Sequence, residues 1–222
     1  MRFTYLRLAP LWATLSFSGP LHAAASLLVD DAGTTPEGRC QLESWARHHT
    51  DHQELTAVPA CTLAGTEWSL GLSHLRGAAS TPWALGAKRT LRGKHDERVQ
   101  VAVSAEAGGD VRHGGARGWA LNLPASFALD AAARVVVVAN AGYSRTRAEH
   151  GMTLGIGSEI RLAPRWSLLA EQWRDAAHHR SSQLGMRRYL RDDASLDLLA
   201  GRAHGTSSAS WITVGLNLPL PH

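Results

Sequence analysis

The sequence predicts an all-β protein. Three observations lead to this prediction: apolar and polar side chains alternate along most of the chain, helical periodicity is scarce, and Gly, Pro, Asp or Asn separate the alternating segments. Between Met152 and Ile156, for example, the apolar Met152, Leu154 and Ile156 alternate with Thr153 and Gly155. Such alternation places apolar side chains on one face of a strand and small or polar ones on the other.

Twelve segments of this kind follow one another, joined by short links. An even number of strands with short connections is typical of antiparallel up-and-down barrels in the bacterial outer membrane. The predicted strands cover residues 39–48, 54–63, 66–75, 81–91, 98–107, 117–128, 134–144, 152–162, 166–173, 182–190, 195–202 and 210–220.

Two features favour a transmembrane β-barrel of about 12 strands over a soluble β-sandwich. Sandwich cores favour large side chains, yet this chain has three Phe and two of them, Phe3 and Phe17, lie at its N-terminus. Five tryptophans stand near the start of a predicted strand, as the aromatic girdles of membrane barrels require. They are Trp68, Trp83, Trp119, Trp166 and Trp211. A secreted soluble β-sandwich remains the alternative.

Pro59 and Pro124 conflict with this prediction, because a closed barrel has no edge strand to accommodate a missing backbone donor. We expect a bulge or a strand end at each of them.

Residues 1–25 have the layout of a secretory signal peptide. Arg2 and Arg7 form the basic start, an apolar stretch follows, and Ala23 to Ala25 supply small residues for cleavage. We therefore expect export through the periplasm to the outer membrane of a Gram-negative bacterium. Residues 26–222 then form a single domain, in which 26–37 is a periplasmic N-terminal segment.

The charge of the mature chain argues against nucleic acid as a partner. Without Arg2 and Arg7 it holds 21 basic and 19 acidic residues, and their signs are mixed along the sequence. A nucleic-acid-binding protein would show a clustered basic face. The expected partners are outer-membrane lipid and a small-molecule solute, and we expect a monomer.

The two cysteines predict a disulfide. If Thr50 and Asp51 form the tip of the first hairpin, Cys40 lies directly opposite Cys61. Opposed side chains in such a pair are close enough for a bridge after a modest adjustment. Export also makes disulfides permissible.

The polar parity of the strands supplies candidates for lining the lumen. These are Glu43, Arg47, Glu54, Glu106, Glu159, Arg161, Glu171, Arg187 and Asp197. They could form a polar path or binding site for a solute. Alternatively, they could pair across strands and seal the interior, because buried charges need partners. We expect mainly pairing, with a narrow passage left open.

Histidines are concentrated at one end of the predicted barrel. Clusters that could bind zinc or copper comprise His48, His49, His52, His178 and His179. Their spacing matches no defined ligand set, so no metal site and no cofactor are predicted.

An outer-membrane lipid hydrolase is the alternative function, because such enzymes activate a serine by a histidine at the barrel rim. Ser73 with His74, or Ser144 with His150, could provide the pair. Adjacent strand residues point to opposite faces, which removes Ser73 with His74. No carboxylate is convincingly placed to orient either histidine, and we expect no enzymatic activity.

The start of the mature chain, LLVDDAGTTPEGRCQLESW, carries Asp30 to Thr34, Gly38 and Gln41 to Glu43. In these residues, and in the ending Val214 to Leu220, the chain resembles a family of outer-membrane transporters linked to meta-pathway phenol degradation. The resemblance implies a barrel of about twelve strands with a transport role. We expect the barrel to transport or admit small solutes, with apolar or aromatic solutes as candidates. It implies no catalytic residues.

Overall fold

The computed structural model describes residues 26–77, 80–93, 97–191, 194–205 and 209–220, so the predicted signal peptide lies outside the described residues. Within these ranges the chain forms a closed barrel of twelve antiparallel strands. The strands are β1 Cys40–His49, β2 Gln53–Leu63, β3 Thr66–Arg76, β4 Pro82–Arg92, β5 Val99–Asp110, β6 Gly118–Ala128, β7 Val135–Arg145, β8 His150–Ala163, β9 Trp166–Arg174, β10 Arg180–Arg191, β11 Ala194–His204 and β12 Ser210–Leu220. A short 3₁₀ helix, Val111–His113, follows β5.

Each strand pairs with the next in sequence, and β12 closes the barrel by pairing with β1. The prediction of an all-β, up-and-down barrel of twelve strands is confirmed. We call the end of the barrel that holds Cys40 and Leu220 the terminal end. The opposite end, where β1 turns into β2 and β11 into β12, is the loop end. No helix in the described ranges is long and apolar enough to cross a membrane.

The outer face of the barrel is apolar. Leu85, Leu121, Ile156, Leu198 and Ile212 each expose half or more of their surface, and all lie on the predicted outward parity of their strands. A barrel closed by backbone hydrogen bonds has no unpaired edge, so it can present apolar side chains all round.

Of the five tryptophans that stand near a predicted strand start, Trp211 does not face outward. Its side chain is 7 % exposed, and its Nε1 donates to Oε1 of Gln183 at 3.0 Å inside the barrel. Its immediate neighbour Ile212 faces outward, so strand alternation turns Trp211 inward. Proximity to a strand end was therefore the wrong criterion for this residue.

The two prolines neither end a strand nor form a bulge. Pro59 pairs with Leu42 of β1, while the pairing of β2 with β3 is interrupted around Pro59 and resumes in the same register. Pro124 likewise keeps its pairing with β7, whereas the pairing of β6 with β5 is interrupted. Each missing donor therefore removes ladder bonds on one side only.

The first hairpin has the predicted register. Cys40 pairs with Cys61 and Arg47 with Glu54. The disulfide Cys40–Cys61 is present, with a Cα–Cα distance of 4.1 Å. It lies in the same cross-strand row as Trp68, which is 51 % exposed, so the bridge is on the outer face near the terminal end.

Candidate functional site

Residues 26–38 precede β1 and lie inside the barrel; we call them the plug segment. Glu171 of β9 accepts hydrogen bonds from the backbone N–H groups of Leu28 and Val29, each at 3.0 Å. Asn140 of β7 accepts from Asp30 N–H at 2.8 Å and donates to the Asp30 carbonyl at 2.6 Å. Apart from Gly38, whose N–H donates to the Thr62 carbonyl of β2, the described part of the segment is held mainly by interior side chains.

The two ends of the plug segment are anchored on opposite walls. The carbonyl of Ser26 accepts from Gln183 at 3.1 Å, and its hydroxyl donates to Asp197 at 2.9 Å. At the other end, the N–H and hydroxyl of Thr35 both donate to Glu67 of β3. The plug segment thus crosses the lumen from β10 and β11 to β3, which obstructs the passage.

Glycines on the inner face leave room for this crossing. A Cβ placed on Gly215 would lie 2.7 Å from Ser26 Cβ, and a Cβ placed on Gly155 would lie 3.0 Å from Val29 Cγ2. Larger residues at these positions would clash with the plug segment. The inward glycines of β8 and β12 are thus required by close approach.

One side of the lumen is sealed by a buried ion cluster. The guanidinium of Arg187 makes two parallel contacts with Asp197, from Nε at 2.8 Å and Nη2 at 2.9 Å, and a third with Glu159 at 3.2 Å. Tyr189 donates to Glu159, and the Arg161 guanidinium lies 5.0 Å from the Tyr189 ring centroid. The cavity between this cluster and the plug segment is about 30 Å³.

A second charge pair lies closer to the loop end. Arg47 Nη1 lies 3.7 Å from Glu54 Oε2, its Nε donates to Thr213 at 3.0 Å, and its Nη2 donates to the Ser26 carbonyl at 3.1 Å. Glu54 also accepts from Trp45 Nε1 at 3.1 Å. This pair contributes a further anchor for the plug segment.

The other side of the lumen is open. A cavity of about 1060 Å³, which we call the vestibule, lies above the plug segment on the side of β1 to β7. Its lining includes the inward tryptophans Trp45 and Trp173 and six carboxylates against three basic residues. The carboxylates belong to Asp30, Asp31, Glu43, Glu67, Glu106 and Asp175, and the basic residues are Lys88, Arg117 and Arg147.

Lys88 of β4, in the wall of the vestibule, forms ion pairs with the plug segment. Its ammonium lies 2.8 Å from Asp30 Oδ1 and 3.5 Å from Asp31 Oδ1. Burial raises the pKa of Asp31 to about 7, although Lys88 acts in the opposite direction. No hydrogen bond or ion pair joins Glu106 to another residue in the described part of the chain, and Glu43 accepts from Gln41 at 3.2 Å. Both carboxylates are therefore available to a solute.

The structure thus separates the nine predicted lumen residues into groups. Glu159, Arg161, Arg187 and Asp197 belong to the sealed cluster, Arg47 pairs with Glu54, Glu171 binds the plug segment, and Glu43 and Glu106 line the vestibule. Sequence reasoning missed Lys88, Asn140 and the acidic pair Asp30–Asp31 as site residues. The inward parity of Lys88 in β4 was the available signal, because a buried ammonium requires a carboxylate.

The histidine-rich loop end holds stacked rings without a metal geometry. The rings of His49 and His52 stack at 4.1 Å, His48 contacts Gln53 at 3.4 Å, and His179 contacts Asp175 at 3.2 Å. His178 lies in the same β9–β10 turn as His179. Among the residues that the structure describes, no group of three potential ligands could hold a metal ion.

The predicted serine–histidine pairs are not brought together. Arg145 is the cross-strand partner of His150, and Ser144 is that of Gly151, so Ser144 and His150 face opposite sides of the barrel wall. A different pair is in contact: Ser182 Oγ lies 2.9 Å from His204 Nε2 on the exposed outer face. They are 22 residues apart in the sequence. The pairing of β10 with β11 makes them diagonal neighbours on the outer face.

The fold and the lumen define a porin-like β-barrel. The chain belongs to the family whose model is described as uncharacterised conserved protein UCP029691, which matches residues 11–220. No curated protein matches the chain. None of the comparisons concerns phenol degradation, so the resemblance to that family is supported only in its coarser implication of an outer-membrane-type barrel.

Solved porins have the same fold. The KdgM porin in complex with disordered oligogalacturonate has a TM-score of 0.68 and 9% identity, with 82% of this chain and 99% of that chain covered. The outer membrane protein Omp33 of Acinetobacter baumannii has a TM-score of 0.61 and 9% identity, covering 83% and 99%. The NanC porin has a TM-score of 0.60 and 8% identity, covering 82% and 100%. At identities this low, the structural similarity shows a shared fold alone.

Proposed function

We propose that the protein is a monomeric outer-membrane channel that admits small solutes from the loop end. The observation that carries this proposal is the vestibule, a cavity of about 1060 Å³ enclosed by the barrel wall and floored by the plug segment. The apolar outer face supports a location in lipid, because exposed leucines, isoleucines and valines surround the barrel. The loop end would face the cell exterior, because both termini of such barrels lie on the periplasmic side.

The lining favours solutes that carry a positive charge and an apolar or aromatic group. Carboxylates outnumber basic residues along the vestibule, and Glu43 and Glu106 lack a cationic partner in the described residues. Rings of acidic side chains favour cations in channels. Trp45 and Trp173 offer aromatic faces on which an organic cation can lie. Oligogalacturonate, with which the KdgM porin is in complex, is an anion and would be repelled here.

The plug segment sets the condition for passage. It crosses the lumen below the vestibule and is held by side chains of β3, β7, β9 and β10. Solutes that enter the vestibule therefore proceed only when the segment moves.

Membrane location and conductance are tested in turn. The purified barrel is expected to show heat-modifiable mobility on a detergent gel and to fractionate with the outer membrane. In a planar bilayer with a potassium chloride gradient, the reversal potential is expected to indicate cation selectivity. The double variant Glu43→Gln/Glu106→Gln should lower the cation-to-anion permeability ratio several-fold.

The matched control carries the same charge change outside the vestibule. Glu97 and Glu149 are exposed and do not line the cavity, so Glu97→Gln/Glu149→Gln should leave the permeability ratio unchanged. A barrel that folds in lipid but stays silent, even after removal of residues 26–36, would contradict the channel. A conducting but anion-selective barrel would contradict the solute class.

A second candidate function, acyl-ester hydrolysis at the outer face, is favoured by the contact between Ser182 and His204 at 2.9 Å. His204 Nε2 could take the proton of the Ser182 hydroxyl as it attacks an ester. Within the described residues no carboxylate contacts the His204 ring, so the pair lacks the third group that would orient the imidazole. An esterase assay in mixed micelles tests this candidate. Activity of the wild-type protein that Ser182→Ala abolishes supports the hydrolase, and equal activity of the wild-type and Ser182→Ala proteins contradicts it.

A further inference from the structure

The outer face of β9, β10 and β11 carries a basic patch at the loop end. Arg174, Arg180 and His204 are direct cross-strand partners in one row. In the next row toward the middle of the barrel, Ser182 is the partner of both Gln172 and Arg202. We call Arg174, Arg180 and Arg202 the arginine patch.

The rows below the arginine patch are apolar. The third row contains Ala170, Leu184, Ala200 and Ile212, and the fourth contains Leu168, Met186, Leu198 and Val214. Leu184 and Ile212 are 55% and 56% exposed. Successive rows on one face are about 7 Å apart. The arginine patch therefore lies immediately beyond the apolar belt, at the level of lipid headgroups.

No carboxylate neutralises the arginine patch in the described residues. Asp175, which follows Arg174, accepts hydrogen bonds from the His179 N–H at 2.9 Å and lies 3.2 Å from His179 Nδ1. The Arg174 Nε is buried without a hydrogen-bond partner. Like charges directly opposite each other across strands destabilise a sheet. Such an arrangement is stable when an anion lies between the guanidinium groups.

We propose that the arginine patch binds the phosphate groups of lipid A, the phosphorylated glycolipid anchor of the outer leaflet. The inference rests on the proposed outer-membrane location. Guanidinium groups match phosphate geometry with two parallel hydrogen bonds. The apolar rows below the patch, including Leu184 and Leu198, then contact the acyl chains. Lipid A carries phosphate groups and acyl chains in one molecule, whereas inorganic phosphate has no acyl chain.

The test measures lipid retention by native mass spectrometry of the full mature chain folded in detergent. Bisphosphorylated lipid A should bind wild type more tightly than its dephosphorylated form. A basic residue near an anionic surface contributes about fivefold to affinity. The variant Arg180→Gln/Arg202→Gln should therefore bind bisphosphorylated lipid A about 25-fold more weakly, provided that both arginines engage phosphate.

The matched control is Arg98→Gln/Arg165→Gln, which removes the same charge from exposed residues at the terminal end. It should retain wild-type affinity. Equal loss in both variants would show a nonspecific charge effect and overturn the proposal. Full competition by inorganic phosphate at equal concentration, or equal binding of phosphatidylglycerol, would overturn the assignment to lipid A. Failure of the proposed location is distinguished separately, because the chain would then show no heat-modifiable mobility.

Discussion

The side-chain amide of Asn140 makes two hydrogen bonds to the plug segment, so its substitution tests the docking of that segment directly. It accepts from Asp30 N–H at 2.8 Å and donates to the Asp30 carbonyl at 2.6 Å, and its side chain is buried. A hydrogen bond of this kind contributes about 1 kcal/mol net, so Asn140→Ala should weaken docking by about 2 kcal/mol. That loss corresponds to a roughly 30-fold larger population of the released segment.

The assay uses a cysteine reporter at Ala32, which is fully buried in the docked segment. In the Ala32→Cys background, a water-soluble thiol reagent labels the cysteine only when the segment leaves the lumen. Asn140→Ala should accelerate labelling about 30-fold, and channel openings in planar bilayers should become more frequent in parallel.

Asn217→Ala is the matched control. Asn217 is an interior amide that donates to Ser195 Oγ at 2.9 Å, and within the described residues it makes no hydrogen bond to the plug segment. It should leave the labelling rate unchanged. An Asn140→Ala rate equal to that of the parent protein would refute the reasoning, and equal acceleration by Asn217→Ala would show opening of the barrel wall instead.

Three further predictions concern stability and pH. Replacing Cys40 and Cys61 by serine opens a loop with a sequence separation of 21, and should lower the free energy of unfolding in urea by up to about 3 kcal/mol; reduction of wild type should give the same loss. Arg187→Met leaves Asp197 and Glu159 without their buried partner and should cost about 3–5 kcal/mol in the same assay, whereas Arg165→Met at an exposed turn should cost little. Because the docked pKa of Asp31 is about 7 against an ordinary value of 3.8, the docked segment holds a proton that the released segment loses between these pH values. Docking should therefore tighten as the pH falls from 8 to 5, measured as slower normalised labelling at Ala32→Cys, and an unchanged pH dependence in Asp31→Asn would contradict this assignment.

The sequence determined the strands, their number and their outward faces. The alternation of Met152, Leu154 and Ile156 with small residues has a physical cause, since each strand separates an apolar environment from a polar lumen. The disulfide followed from the same regularity, because a hairpin tip at Thr50 and Asp51 fixes every cross-strand partner. Trp211 shows the limit of the approach: only strict parity predicted its inward orientation.

The tertiary structure alone decided what fills the lumen. Alternation indicates which side chains point inward, but not which ones meet across a closed barrel, so the contact of Asp30 with Lys88, 58 residues apart, was invisible. The plug segment itself has no alternation to interpret, and its position follows from interior groups that need partners, such as Glu171 and Asn140. Charges that look equivalent along the sequence are therefore divided by closure of the barrel into a sealed cluster and an open vestibule.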